Sequence, residues 1–523
     1  MEEIIREIKN SYNSKNYIKT IELCNSYLAK KDENLFVMNI LGAALSQSGN
    51  NKEALIVYEK AINSDPDNFD VKSNLAQIYR DEGYLNRAIN YYKELFLMSE
   101  KNEYQILIGA CYLDSGDFTS AQKYFEQSLK KDNTNISVLD LLSQTLIKLK
   151  KYDDALGYLN TGLELIPENP SFLNNKAVVY KLQKKYDKAI GILDDLIASD
   201  INFPKYLIYN NLGSIYEVMG NLEKAKEHYL KSISINKNHE LTNYNLGKIF
   251  KKENDIVSSI DYFDKGGQLG KIKCLELYYA NNNKEKYHEL LNQYCHTDPH
   301  NNNVAAISAF ASEQWEITNN YPFCHNPISY LSSKNISTSL KSYEFSFTEL
   351  LSELNILKEV WEPEDSTTKG GSQTFDNLFS LEKKNISILK KVLSEEIKHY
   401  FKSYNKNDNS LFIKDWPKKS NLFGWVVNLK SEGFQSSHIH LGSWLSGVFY
   451  INIPDDIKDN EGAIKFSLKG FDYPMKKNSS QEKIINPKRG DLVLFPSSLF
   501  HQTIPFISND NRVCIAFDYQ PKK

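Results

Sequence analysis

The 523-residue sequence has only six cysteines, and none forms a CxxC pair or belongs to a compact framework. Cys24, Cys111, Cys274, Cys295, Cys324 and Cys514 are scattered, as free thiols in a reducing compartment would be, which excludes a disulfide scaffold. Long apolar runs are missing too. No stretch approaches the roughly 20 residues of a membrane-spanning helix, and the opening "MEEIIREIKN" lacks the apolar core of a signal peptide. A soluble, cytoplasmic protein without a membrane partner is the expectation. Nor is there an excess of one charge: 63 basic residues against 66 acidic ones leave -3, so no nucleic acid partner is expected. Histidines number ten, few enough that any convergence of them carries information.

What is present first is a period. Ala54, Ala88, Ala121, Ala155, Ala189, Ala225 and Ser259 follow one another at 34, 33, 34, 34, 36 and 34 residues, the spacing of a solenoid. Twelve positions before each stands another small residue: Gly42, Ala76, Gly109, Ser143, Ala177, Gly213 and Gly247. Four positions after many of them stands an aromatic: Tyr58, Tyr92, Phe125, Tyr229 and Phe263. Small residues let two helices approach closely, and the aromatics are expected to fill the gap between neighbouring pairs. Pro66 and Pro167 punctuate the turn after the second helix. The stretch "LGAALSQSGNNKEALIVYEKAINSDP" resembles the tetratricopeptide repeat at nearly every position of its pattern. About eight repeats are counted, the first degenerate because Thr20 and Cys24 replace the alanine and the aromatic. The resemblance implies a superhelix whose concave face holds a protein or peptide. Asn74, Asn175, Asn211 and Asn245 each precede the small residue of the first helix by two positions. They are either a ladder that hydrogen-bonds an extended peptide backbone or the common wording of an asparagine-rich repeat.

The period ends near residue 295. Polar, turn-forming "HTDPHNNN" follows, in which His296 and His300 read as solvated side chains, and a short helical segment from Val304 caps the array. The expected division is 1–295 for the array, 296–320 for linker and cap, and 321–523 for a second domain. Within that domain, "FTELLSELNILKEVW" and "ILKKVLSEEIKHYFKSY" read as helices separated by the loop "EPEDSTTKGGSQTFD". Short strands then dominate: "GWVVNLK", "LSGVFYINI", "GAIKFSL", "GDLVLFPS" and "RVCIAFDY" are β-branched or aromatic and bounded by turn residues. An antiparallel sandwich or barrel with helices on one side is expected.

His438 and His440 precede the second of these strands. On an extended segment they share a face, about 7 Å apart, so they are either surface histidines or two ligands of one ion. The next histidine, His501, follows a buried-looking strand, and Arg512 lies eleven residues beyond it. A barrel offering three imidazoles and an arginine can hold a ferrous ion and a dicarboxylate together. The pattern resembles the iron(II) and 2-oxoglutarate dependent dioxygenases, in a branch marked by HxH, "LSGVFY", "LVLFPS" and a later histidine. The resemblance covers about Tyr321 to Tyr519. It implies a double-stranded β-helix (jelly-roll, cupin-like) with buttressing helices, so the whole chain is a multidomain protein with an all-α solenoid first. Carried across, His438 and His501 are metal ligands and Arg512 anchors the far carboxylate of 2-oxoglutarate. His440 is retained as a ligand although the superfamily has Asp or Glu there. Cys514 replaces the family's Ser or Thr two residues after the arginine, leaving Ser446 and Tyr450 as candidates for the second hydrogen bond to the acid. Trp425 and Trp444 are candidates for the substrate mouth or simply core.

The resemblance implies an oxygenase using Fe(II), 2-oxoglutarate and O2 to hydroxylate a protein or peptide recruited by the array. Two other readings stand beside it: an interaction scaffold with a degenerate barrel, and a three-histidine metal dioxygenase that does not use 2-oxoglutarate.

Overall fold

The computed structural model describes residues 2–30, 34–199, 201–363, 366–375, 377–404 and 408–521. The chain divides into two compact units, one up to Lys237 and one from Asn238 onward.

The first unit is built of helices in antiparallel pairs, from Glu2–Asn13 and Tyr17–Leu28 through to Lys205–Val218 and Leu222–Ile235. Asparagines start many of them: Asn34, Asn68, Asn135 and Asn169 each accept a backbone N–H of the first turn through the side chain, so the asparagine-rich composition serves partly as caps. The turn within a pair needs a residue of positive φ. Gly49, Gly83, Gly116 and Gly220 supply it, whereas Lys150 and Lys184 adopt the left-handed conformation at a cost.

Packing within a pair explains the small residues. A Cβ on Gly42, Gly109 or Gly213 would lie 2.5–2.7 Å from the ring of Tyr58, Phe125 or Tyr229, sixteen residues later in the same pair. Where Ala177 or Ser143 stands instead, the residue sixteen on is Leu193 or Leu159, which leaves room for the extra atoms. Ala76 with Tyr92 departs from this rule. The rings of Tyr58, Phe125 and Tyr229 thus pack inside their own pair, where the sequence reading expects the gap between pairs, and Tyr92 also meets Tyr104 of the next pair with centroids 6.3 Å apart.

The second unit opens with the helices Glu240–Lys252 and Ile256–Asp264, in which Gly247 and Phe263 repeat the same contact at 2.6 Å. Gly267–Ala280, Lys284–Thr297 and Asn302–Trp315 follow, the last occupying the anticipated linker. Compactness divides the chain earlier than its change of sequence character because these helices share one core with the strands. The Tyr279 hydroxyl donates to the Pro474 carbonyl at 2.8 Å, and Phe310 packs on Tyr473 with centroids 5.4 Å apart.

Among the described residues ten strands form two antiparallel sheets: β1 (Ser332–Asn335), β2 (Val360–Trp361), β3 (Thr368–Gln373), β4 (Ser420–Gln435), β5 (Leu445–Asn452), β6 (Ile464–Ser467), β7 (Glu482–Ile485), β8 (Asp491–Pro496), β9 (Phe500–Thr503) and β10 (Arg512–Pro521). The larger sheet runs β1-β8-β5-β10-β4-β3-β2 and the smaller β7-β6-β9. This is the two-sheet jelly roll, or double-stranded β-helix, with Phe347–Leu354 and Lys384–Ser403 among the helices packed against it. Lys384–Ser403 buries Ile386, Leu389, Val392, Leu393 and Ile397 at helical spacing.

Two local expectations are corrected. The helix starting at Phe347 stops at Leu354, and Val360–Trp361 turns into strand because it pairs with Gln373 and Ser372. The presumed loop from Glu362 contains β3, whose "TKGGSQ" has no apolar alternation to announce it. Gly370, at φ 61°, lies against Gly433 so closely that a Cβ would stand 2.8 Å from its Cα, and the β3–β4 register shifts there. Glu364, Asp365 and Asp376 of that loop lie outside the described residues, as does Asn405.

Candidate metal centre

β4 ends at Gln435, so His438 and His440 lie just beyond it, on an extended segment and not within a regular strand. Backbone hydrogen bonds hold that segment. Ser436 N–H donates to Thr367, His438 and His501 exchange both N–H···O bonds at 3.1 Å, and His440 N–H donates to Ser497 at 3.0 Å. The antiparallel bridge between His438 and His501 joins residues 63 apart in sequence and is what brings the distant imidazole in.

The three rings converge. Centroids are 4.2 Å apart for His438 and His501, 5.0 Å for His440 and His501, and 5.2 Å for His438 and His440. One nitrogen from each lies within 4.8 Å of the others, and this is the one such grouping of histidine, cysteine and carboxylate side chains found among the described residues. In every ring Nδ1 is turned outward: toward the Ser436 carbonyl at 2.7 Å for His438, Asp518 Oδ1 at 2.6 Å for His440, and the Leu499 carbonyl at 3.1 Å for His501. Each acceptor fixes the proton on Nδ1 and leaves the Nε2 lone pair for a metal. Burial, then the neighbouring His440, lowers the His438 pKa to about 4, against the smaller opposing pull of the Ser436 carbonyl and Asp518. Burial and the two other rings push His501 well below its ordinary value. Neutral imidazoles at neutral pH are what a divalent ion requires.

A narrow cavity opens beside the triad, lined by Trp425, Gln435, Val448, Tyr450, Thr503 and Arg512 among others. Alternation along β10 puts Arg512, Cys514, Ala516 and Asp518 on one face. Arg512 is 1% exposed. Its Nε donates to the Gly462 carbonyl at 2.9 Å, Nη1 approaches Cys514 Sγ at 3.6 Å, and its Cζ stands 5.0 Å from the Tyr450 ring centre. Among the described residues no carboxylate pairs with it. Burial raises the Tyr450 pKa and Arg512 partly opposes this; the contact falls short of hydrogen-bond geometry, so the buried hydroxyl has no partner. A buried cation without an anion and an orphaned hydroxyl at one cavity wall fit an anionic ligand. Three converging Nε2 atoms fit a divalent metal of the imidazole-binding kind, iron among them.

The other anticipated residues fall as follows. Ser446 does not line the cavity: its hydroxyl bonds Asp518 Oδ1 at 2.7 Å and Ser497 Oγ at 2.8 Å, so it bears on the site through Asp518 and not as a direct contact to the acid. Trp425 lines the cavity, its ring 5.6 Å from that of His440, whereas Trp444 is core, its Nε1–H donating to the Phe412 carbonyl. Asp518 went unread, although it shares parity with Arg512 in an otherwise apolar run. Asn302 also went unread; it sits in the sequence as one of three consecutive asparagines, and its Nδ2 donates to the carbonyls of His440 at 2.8 Å and Ser443 at 2.7 Å. His300 is engaged with Asp415 at 2.9 Å and His296 with the Asn292 carbonyl.

In the array, three of the asparagines reach the preceding repeat. Asn74 Nδ2 donates to Asn39 Oδ1 at 2.8 Å, Asn175 to Asp140 Oδ1 at 2.8 Å, and Asn211 to Asn174 Oδ1 at 2.7 Å. Their amides therefore join consecutive repeats; Asn245, in the second unit, is buried.

Comparison with known proteins gives family matches in two separate stretches of the chain. The family described as "Putative 2OG-Fe(II) oxygenase" matches residues 424–518. Tetratricopeptide repeat families match 37–68, 141–204 and 206–239, and the family "Anaphase-promoting complex, cyclosome, subunit 3" matches 81–162. The TPR repeat-containing protein MJ1428 of Methanocaldococcus jannaschii is 24% identical over 275 residues, 49% of this chain and 47% of that protein. Human protein O-mannosyl-transferase TMTC1 is 23% identical over 201 residues, 38% of this chain and 22% of that protein. The chain thus spans about half or less of these curated relatives. A crystal structure of a tetratricopeptide repeat protein from Parabacteroides merdae overlaps 48% of this chain and 98% of its own, with TM-score 0.41 and 20% identity. The chain carries tetratricopeptide repeats between residues 37 and 239 and, at 424–518, a domain of the family described as "Putative 2OG-Fe(II) oxygenase".

Proposed function

We propose that the chain is an Fe(II) and 2-oxoglutarate dependent dioxygenase that hydroxylates a protein or peptide recruited by its repeats. His438, His440 and His501 would hold the metal through Nε2, and Arg512 with Tyr450 would hold the distal carboxylate of the cosubstrate. Bound iron and 2-oxoglutarate would supply the activation of dioxygen for oxidising a C–H bond, with succinate and carbon dioxide as coproducts. The chain's own part is positioning. The backbone bridge between His438 and His501 sets the ring spacing, the outward Nδ1 bonds fix each ring's orientation, and the buried guanidinium selects an acid. Trp425, Val448 and Ala516 give the cavity apolar walls that limit water.

The observation that carries the reading is Arg512: buried, permanently charged and without an anion among the described residues, beside three converging imidazoles. It also favours 2-oxoglutarate over a three-histidine dioxygenase that needs no acid. Six free cysteines accord with a cytoplasmic location, and among the described residues no helix is long and apolar enough to cross a membrane. Purified chain given ferrous iron, ascorbate and 2-oxoglutarate should release succinate even without substrate. Absence of succinate together with absence of metal binding would leave the scaffold reading. Metal binding with no effect of 2-oxoglutarate would favour the acid-independent dioxygenase.

A further inference from the structure

Three imidazoles bring no formal charge to a metal, whereas the familiar two-histidine, one-carboxylate iron site brings one negative charge. In this chain a carboxylate stands one residue further out. Asp518 is 8% exposed, and its Oδ1 accepts the His440 Nδ1–H at 2.6 Å. His438 and His501 direct the same atom at neutral main-chain carbonyls, so His440 alone carries an acid behind it. Among the described residues no lysine or arginine pairs with Asp518. Arg512 cannot: six residues away on the same face of β10, it lies about 20 Å off along the strand.

We propose that Asp518 supplies, through the His440 ring, the negative charge that a directly bound carboxylate would otherwise give the metal, and so acts as a positioning and tuning residue. This rests on the metal site of the oxygenase reading. A short charge-assisted bond draws the Nδ1 proton outward and enriches Nε2, which strengthens its bond to a cation and favours the more highly charged metal state. Two contacts hold His440 in place for that bond, and a third draws on the same acid. His440 is fixed by its own N–H to Ser497 and by Asn302 on its carbonyl, and Ser446 donates to the same Asp518 oxygen at 2.7 Å. Ser446 therefore competes with His440 for the charge of Oδ1.

The competition gives a test that orientation alone does not pass. In the full chain, Asp518→Asn keeps a carbonyl oxygen to accept from His440 while deleting the charge; Ser446→Ala removes the competing donor while keeping the charge. Mn(II) affinity is measured from the paramagnetic resonance signal of the free ion, and the Fe(III)/Fe(II) potential by redox titration of the iron-loaded protein. Asp518→Asn should bind Mn(II) about 10–100-fold more weakly and raise the potential. Ser446→Ala should lower the potential. The proposal is overturned if Asp518→Asn binds within about twofold of wild type with an unchanged potential, or if both variants raise the potential, as loosened orientation would. Should Asp518→Asn not fold, Ser446→Ala decides alone: a potential unchanged or raised refutes the proposal. Failure of the wild-type chain to bind Mn(II) would refute the metal site itself, a separate result from a failure of Asp518.

Discussion

Arg512→Met removes the buried guanidinium while keeping most of its volume. An uncompensated buried charge costs on the order of 3–5 kcal/mol. Against this, the variant loses the Nε–H bond to the buried Gly462 carbonyl, about 1–3 kcal/mol, and the contact of the cation with the Tyr450 ring, about 1–2 kcal/mol. The terms nearly cancel: without cosubstrate their midpoints leave the variant about 0.5 kcal/mol more stable than wild type, within a span from about 2 kcal/mol less to about 3 kcal/mol more. With Mn(II) and 2-oxoglutarate the order inverts. A ligand at 100 times its Kd stabilises the wild type by about 2.7 kcal/mol, and the variant gains nothing from the acid. All five tryptophans lie between residues 315 and 444, so urea unfolding followed by their fluorescence reports on the second unit alone. A variant more than about 3 kcal/mol less stable than wild type without ligand, or equally protected by 2-oxoglutarate, would refute the argument that Arg512 is a charge waiting for an acid.

Gly213→Ala places a Cβ 2.6 Å from the Tyr229 ring and should cost the array about 1–3 kcal/mol by circular dichroism at 222 nm. Adding Tyr229→Leu should recover part of it, since Ala177 tolerates Leu193 in the neighbouring repeat. Asn175→Ala should cost about 1 kcal/mol at pH 7 without any peptide present, because its amide donates to Asp140. Burial already raises the Asp140 pKa and Asn175 opposes that, so the loss falls on the ionised carboxylate. The penalty should be full at neutral pH and fade as Asp140 protonates in acid, which paired unfolding curves at the two pH values would check. His501→Ala should abolish Mn(II) protection of the second unit, and a chelator should reduce wild type to the same unfolding midpoint.

The solenoid was legible because a repeat of fixed length writes the same packing contact many times, so the glycine before Tyr58, Phe125, Tyr229 and Phe263 stands out without any structure. What the period cannot say is which gap a ring fills, since helix direction places it inside the pair only once the pair is assembled. The convergence of the three histidines was legible because histidine is rare and two of the three share parity. Asp518 was missed for the opposite reason: an aspartate near a strand end reads as solvent-facing, and only the pairing of β10 with β5, which sets Asp518 opposite Ser446, turns it inward. The asparagines at 74, 175 and 211 show the same limit. Spacing puts them on one face, but whether their amides meet a neighbour or a ligand depends on the rotation from one repeat to the next. β3 lacked a hydrophobic pattern altogether, since its pairing with β4 rests on backbone and two glycines.

The most direct measurement is anomalous scattering from crystals soaked with Mn(II) and 2-oxoglutarate. The account predicts a single peak at bonding distance from Nε2 of His438, His440 and His501, with the distal carboxylate of the acid against the Arg512 guanidinium. A peak elsewhere, a ring turned away, or an acid bound with that guanidinium still unpaired would contradict it.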